Sequence, residues 1–492
     1  MTIFNFCTGG IFRLLVMLVL ISSGVYGQPH PSPTTGGYTT GARIRSAIHT
    51  ILSDSVLTKA TVGIKIVALR NGAVLFKQNE NKLFHPASTL KLVTAATALH
   101  RLGPGYRFLT TVSAHGSIQG HTLKGDIVVR GTGDPLLTVA DFDSLITEIK
   151  AKGIETITGD LIGNRTLFDS ISWGAGWMWD DEPSSDEPFI TPLSVEGNSI
   201  LFTVTPGNAA GSVPAFEQRP TTSYITVRNE GTTSDDTLIP PLLITRNHGE
   251  NLFRISGRLA PNSLPSEYSV SVANPDLYFL TLFKEHLLSH GIRWTGIIRV
   301  DTVTGNRDIV RSGHTLDSVL YFMDKSSNNL AAENLLRTIG IFRSGPPGSV
   351  VNGIAAVGDY LAECGIDTAS LHIADGSGVS WYNIITPDAM VKLLASEYRH
   401  KKTFPVFYES LPVGGVDGTL KSRFRGSRAE GNVHAKTGSL SGVSTLTGYV
   451  GSADHQMVAF CIMCDHYPGN INELRKLQDW IVDLLAGSHL KK

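Results

Sequence analysis

His85-Pro86-Ala87-Ser88-Thr89-Leu90-Lys91-Leu92-Val93-Thr94-Ala95-Ala96-Thr97-Ala98-Leu99 runs from a turn straight into an apolar helix. Ser88 and Lys91 stand three residues apart, so one helical turn brings a hydroxyl and an amine onto the same face. That pairing suits a serine nucleophile with a lysine base. A serine hydroxyl needs a neighbour to take its proton, and a lysine does so only where burial or a nearby cation keeps it neutral. The apolar run beyond Lys91 supplies such burial. The spacing alone decides little, because residue usage puts about two Ser-x-x-Lys spacings in a chain of this length by chance. Ser488-His489-Leu490-Lys491 is a second one, and a capping serine with a snorkelling lysine has the same pattern.

Composition bounds what surrounds this helix. With 492 residues, 41% hydrophobic and 17% charged, the chain has the profile of a soluble globular protein of two or more domains. A formal net charge of −1 without a basic run leaves no footprint for nucleic acid. The 16 histidines show no His-Glu-x-x-His or similar spacing, so neither a catalytic metal nor another cofactor is expected. Ile11 to Ile21 is apolar apart from Arg13, and Ser22-Ser23-Gly24-Val25-Tyr26-Gly27, small or tolerated at a cleavage site, follow it. This predicts a signal peptide over residues 1–27, with an uncleaved anchor as the alternative. Cys7 lies inside it without a lipobox. Residues 28–41 are a Pro/Gly/Ser/Thr-rich flexible leader. Cys461 and Cys464 have metal or redox spacing but fall in a strand-like run, where residues three apart point to opposite faces. With Cys364 they are read as small buried hydrophobes.

Further along, Ala42 to about Ser53 is helical. Thr61–Leu69 and Ala73–Lys77 flank Asn71-Gly72 as a hairpin leading into Ser88. The helix begun at Ser88 ends near Gly103. From about Tyr106 to Val300 the texture is β-rich, with helices at Ala140–Lys152 and Pro275–His290. Helical spacing returns at 316–324, 328–340, 350–363 and 387–398, with Gly340 and Gly365 as stops. Val433–Asp465 alternates like two or three antiparallel strands, and Asn472–Leu485 is a closing amphipathic helix. A sheet drawing strands from both ends of the chain makes the middle an insertion.

Lys325-Ser326-Ser327-Asn328-Asn329-Leu330 opens a helix, and Ala435-Lys436-Thr437-Gly438-Ser439 lies on a strand. Ser-x-x-Lys, Ser-x-Asn and Lys-Thr-Gly, in that order and each in a suitable element, are far more specific together than singly. On these residues the chain resembles the D-Ala-D-Ala carboxypeptidase/endopeptidase family of penicillin-binding proteins, the class C type with a large insertion after the nucleophile helix. Gly133-Asp134-Pro135, Gly176-Trp177 with Trp179-Asp180-Asp181, Asp375-Gly376-Ser377-Gly378-Val379-Ser380 and Pro412-Val413-Gly414-Gly415-Val416-Asp417-Gly418-Thr419-Leu420 extend the resemblance over nearly all of the mature sequence.

The resemblance implies an α/β (α+β) transpeptidase-like fold, an antiparallel sheet flanked by helices. It would be built from residues 42–103 and 305–490 and interrupted by one or two β-rich domains over 104–304. It also implies a serine DD-peptidase acting on peptidoglycan stem peptides and acylated by β-lactams, exported to the periplasm. By resemblance Ser88 is the nucleophile and Lys91 the base, kept neutral by burial and by Lys436. Ser327 relays a proton to the leaving amine and Asn329 holds the substrate amide, in preference to the looser register at Ser326 and Asn328. Lys436 and Thr437 bind the terminal carboxylate, and the N–H groups of Ser88 and Ser439 form the oxyanion hole. Gly438 leaves room for the peptide along the strand. Asp180 and Asp181 are candidates for substrate contact from the insertion, a structural role being the alternative. Trp381 stands where several relatives carry an arginine that grips the acidic side chain of the stem.

Two rivals are weaker. A class A β-lactamase needs a carboxylate-activated water for deacylation, yet no Glu-x-x-Leu-Asn pattern follows Asn329 and the long gap from Ser88 to Ser327 demands an insertion. A non-catalytic wall-binding or penicillin-sensing protein has no need of a neutral lysine beside a serine.

Overall fold

Asn71-Gly72 closes its hairpin as the dipeptide dictates: Gly72 takes φ 72°, and the Asn71 side chain accepts from Ala73 N at 3.1 Å. In the computed structural model, which describes residues 40–490, helix α1 (Thr40–Leu52) precedes the two strands of this hairpin, β1 (Thr61–Ala68) and β2 (Ala73–Gln78). The signal-peptide segment, Cys7 and most of the leader lie outside the described residues. A single 3₁₀ turn, Ala87–Leu90, carries Ser88 into α2 (Lys91–Leu102), which ends at Gly103 with φ 81°.

The insertion begins with the long hairpin β3 (Thr110–Gln119) and β4 (Thr122–Gly131). Short strands at 156–157, 161–164, 293–294 and 298–300 add to it in parallel. Helices α3 (Val139–Ala151) and α4 (Pro275–Ser289) pack Phe142, Ile146, Phe279 and Phe283 into its core. Smaller sheets between residues 199 and 271 complete the insertion. Strand β5 (Arg307–Ser312) pairs antiparallel with β3, so these residues, assigned by sequence to the returning half, extend the insertion's sheet.

Helices α5 (Leu316–Ser326), α6 (Asn329–Ser344), α7 (Val350–Glu363) and α8 (Pro387–Arg399) follow. Gly340 does not stop α6, which ends at Gly345 with φ 78°. It lies instead where α6 crosses α7, and a Cβ there would come within 2.8 Å of Gly353 N. The chain closes with β6 (Val433–Leu440), β7 (Val443–Gly451), β8 (Met457–Asp465) and α9 (Ile471–Ala486).

The resulting sheet has the order β6-β7-β8-β1-β2, antiparallel throughout, and joins both ends of the chain. Ile44, Ile48, Leu474, Ile481 and Leu485 cover one face from α1 and α9. The other face packs on α2 and on helices α5 to α8. Each such buried Ile, Leu or Phe contributes roughly 1.5–3 kcal/mol. Cys461 joins the second layer and Cys464 the first, on opposite faces as the strand period requires. Trp177 and Ile190 of the insertion pack on Leu330 and Val379. The described residues form one compact unit.

Candidate active site

Ser88 is held by a strained turn. Ala87, just before it, is a buried non-glycine residue at φ 47°. Lys91, one turn on, is fully buried, and its Nζ lies 3.0 Å from Ser88 Oγ, 2.6 Å from Asn329 Oδ1 and 2.7 Å from the Ser377 carbonyl. Asn329 Oδ1 and Ser377 O are acceptors only, so a neutral Lys91 gives its two N–H groups to them. The remaining lone pair then faces the Ser88 hydroxyl. This is the arrangement a general base needs.

Both acceptors are fixed by the fold. Asn328 caps α6 by accepting from Ala331 N at 2.8 Å, which leaves Asn329 as the first helical residue, and Asn329 Nδ2 donates to the Asp186 carbonyl at 2.8 Å. Ser327, at φ 62°, ends α5 in the left-handed region and so turns its hydroxyl to Lys436 Nζ, 2.8 Å away. Ser326 Oγ instead donates back to Phe322 O. The pair brought to the two lysines is therefore Ser327 and Asn329. Ser377 lies in the 375–380 turn, which is held from within. Asp375 accepts from Gly378 N, Ser380 N, Asn383 Nδ2 and the Trp177 indole. Glu333, paired with Arg337, accepts from Gly376 N and Ser377 N.

Burial lowers Lys91 to about 8, against the pull of Asp375, Glu333, Asp324 and Asp186. Lys436, also fully buried, is lowered first by burial and then by the charge of Lys91, while Asp324 opposes both. Burial lifts the Asp324 carboxyl to about 6. Burial, rather than Lys436, is thus the leading cause of the depressed Lys91, and the repulsion between the amines weighs on Lys436.

β6 is an edge strand of its sheet. Ala435 N donates off that edge to Pro412 O at 2.9 Å, so the two-residue period points the N–H groups of Thr437 and Ser439 the same way. Thr437 Oγ1 donates to Thr419 Oγ1 at 2.8 Å, and the exposed Ser439 Oγ accepts from Arg475. Gly438 has a different reason from the one expected. A Cβ there would meet Thr445 Oγ1 at 2.2 Å and Pro86 O at 2.7 Å, so the glycine makes room for the nucleophile turn.

Asp180 and Asp181 sit in a 3₁₀ turn; Asp180 is exposed, and Asp181 accepts from Met178 N at 2.9 Å. The insertion reaches the site through Asp186, on Asn329, and its neighbour Glu187, whose carboxyl burial pushes up to about 8. Sequence reasoning missed Asp186, Glu187, Asp324 and Glu333. Only Asp324, three residues before Ser327, had a positional signal. Trp381 packs edge-on against His85, which is hydrogen-bonded to Asp465 at 3.0 Å.

A lysine amine on a serine hydroxyl, a second buried lysine on an edge strand, and helices over an antiparallel sheet define a serine peptidase of the penicillin-binding type. Residues 44–487 match the model of the D-Ala-D-Ala carboxypeptidase 3 (S13) family, and the chain belongs to that family. It is 34% identical over 450 residues to a D-alanyl-D-alanine carboxypeptidase of an Actinomadura species, covering 87% of this chain and 82% of the relative. It is 29% identical over 422 residues to the D-alanyl-D-alanine carboxypeptidase DacB of Haemophilus influenzae, covering 85% and 88%. The crystal structure of penicillin binding protein 4 from Haemophilus influenzae superposes with a TM-score of 0.80 at 26% identity, over 90% of this chain and 99% of that one.

Proposed function

We propose that this serine DD-peptidase cleaves the D-alanyl-D-alanine end of peptidoglycan stem peptides, and the D-alanyl crosslink between stems, through an acyl-enzyme on Ser88. The observation that carries the assignment is the aim of Lys91 at Ser88 Oγ, with its other two directions already taken. Ser88 Oγ attacks the carbonyl carbon of the penultimate D-alanine while its proton passes to Lys91 Nζ. The oxyanion is met by the N–H groups of Ser88 and Ser439, where each such donor is worth about 3 kcal/mol. As the C–N bond breaks, Ser327 gives its proton to the leaving amine and recovers one from Lys436, 2.8 Å away. Water then hydrolyses the ester by the reverse relay.

Lys436 and Thr437 receive the terminal carboxylate. That negative charge favours protonated Lys436, and a protonated Lys436 lowers Lys91 further. Substrate thus helps to free its own base. Asn329 holds the substrate amide, and the outer edge of β6 offers main-chain pairing to the peptide. β-Lactams place their carboxylate and ring carbonyl in the same positions and acylate Ser88. A likeness to the Haemophilus influenzae protein solved with a β-lactam, with a TM-score of 0.74, supports this. The apolar stretch at 11–21 supports export to the periplasm.

The test is incubation with a stem pentapeptide ending in D-Ala-D-Ala and, separately, with crosslinked muropeptide dimers. Free D-alanine from the first and monomers from the second are expected. Product from only one would restrict the enzyme to that activity, and product from neither would reject the assignment.

A further inference from the structure

At the far end of α2 a second group of reactive side chains converges. His100 lies in the last turn of α2, Glu397 in the last turn of α8, and His400 immediately after it. Glu397 is fully buried, whereas the His400 side chain is 44% exposed and opens the group to solvent. One donor atom from each lies within 4.8 Å of the others. His100 Nε2 stands 3.0 Å from Glu397 Oε1, and His400 Nδ1 stands 4.0 Å from the same oxygen.

The short contact is not a hydrogen bond. His100 Nε2 is buried and has no hydrogen-bond partner, so its approach to the carboxylate is close but misaligned. Two ligands of one ion behave in this way, because tetrahedral bonds of about 2.0–2.1 Å hold ligand atoms about 3.3 Å apart with both lone pairs aimed between them. The surroundings resemble an outer shell. Tyr360 Oη donates to Glu397 Oε1, Thr403 Oγ1 lies 3.4 Å from Oε2, and the His100 ring stacks on Tyr360 at 4.6 Å.

We propose that His100, Glu397 and His400 bind a divalent transition-metal ion, zinc before others, with water in the fourth position. Two imidazoles and a carboxylate match zinc's preferences, and the buried carboxylate offsets the ion's charge. The site is not part of the peptidase chemistry. His100 lies nine residues beyond Lys91, about 14 Å along the helix. The ion would fasten the end of the nucleophile's helix to α8 and, through Tyr360, to α7.

The test uses the full mature protein, stripped with chelator and titrated with zinc by calorimetry, and with cobalt(II) as a spectroscopic probe. β-Lactam acylation serves as the check of folding. About one zinc per chain with micromolar affinity and the visible bands of four-coordinate cobalt are expected. His400→Ala, which removes a half-exposed ring, should weaken zinc binding at least about 30-fold and leave acylation unchanged, since losing a ligand costs more than the roughly 10-fold that losing a mere outer-shell partner can cost. Glu397→Gln should abolish the cobalt bands. Wild-type protein that takes up no zinc, or His400→Ala that binds it as tightly as wild type, would overturn the site and leave two histidines beside a carboxylate held only by Tyr360 and Thr403.

Discussion

Lys91 Nζ donates to the Ser377 carbonyl at 2.7 Å, and that bond aims the amine at Ser88. The next residue, Gly378, allows it: its φ is 87°, and a Cβ would lie 1.9 Å from the Ala87 carbonyl. Gly378→Ala should therefore cost at least about 2 kcal/mol and slow acylation as well. Gly72→Ala, with φ 72° and open space around it, should cost only about 1 kcal/mol and leave acylation alone. Denaturant melts and stopped-flow β-lactam acylation of both variants check the contrast.

Asn329 bonds both Lys91 and the Asp186 carbonyl, so it orients the base and ties the insertion to the site. Asn329→Ala should lower the acylation rate constant by about 10²-fold or more, the usual weight of a positioned catalytic hydrogen bond. A fall below threefold would remove Asn329 from the machinery.

Acylation by a neutral Lys91 rises with pH. With the amine lowered to about 8 by burial, the ascending limb of the second-order rate constant should centre near that value. Asp324 favours the protonated forms of both lysines, so Asp324→Asn, which removes that charge, should move the limb to lower pH. A shift to higher pH would contradict the electrostatic account. Stability has its own sign: a lysine lowered by folding binds fewer protons than in the unfolded chain. The resulting penalty is present below about pH 8 and relieved as pH rises towards the ordinary lysine value of 10.5.

Burial pushes the thiols of Cys461 and Cys464 up to about 12, whereas Cys364 is partly exposed. Iodoacetamide should label Cys364 alone in the folded mature protein, and all three after denaturation. Peptide mapping reads the outcome.

Much of the site was legible because its chemistry depends on local spacing. Ser88 and Lys91 meet within one turn, and the Asn71-Gly72 hairpin and the three closing strands follow from short-range patterns. What was hidden depends on distant packing. The resemblance already preferred Ser327 over Ser326, but the left-handed turn that ends α5 and aims Ser327 at Lys436 had no mark in the sequence. Gly340 reads as a stop, but its lack of a side chain serves a helix crossing. Gly438 suggested space for substrate, yet the nucleophile turn occupies that side. Residues 307–312 carry no mark of their partner, β3, nearly two hundred positions earlier. Asp186 and Glu187 belong to the insertion, which docks through Trp177 on Asp375 and through Asp186 on Asn329, and His100 meets Glu397 and His400 only in the folded chain.

The most direct test of the central claim is the intact mass of the mature protein after benzylpenicillin, with the adduct mapped by proteolysis. One added penicillin on the peptide containing Ser88, lost in Ser88→Ala and kept in Ser488→Ala, is the predicted result. No adduct on folded wild-type protein, or an adduct that survives Ser88→Ala, would contradict it.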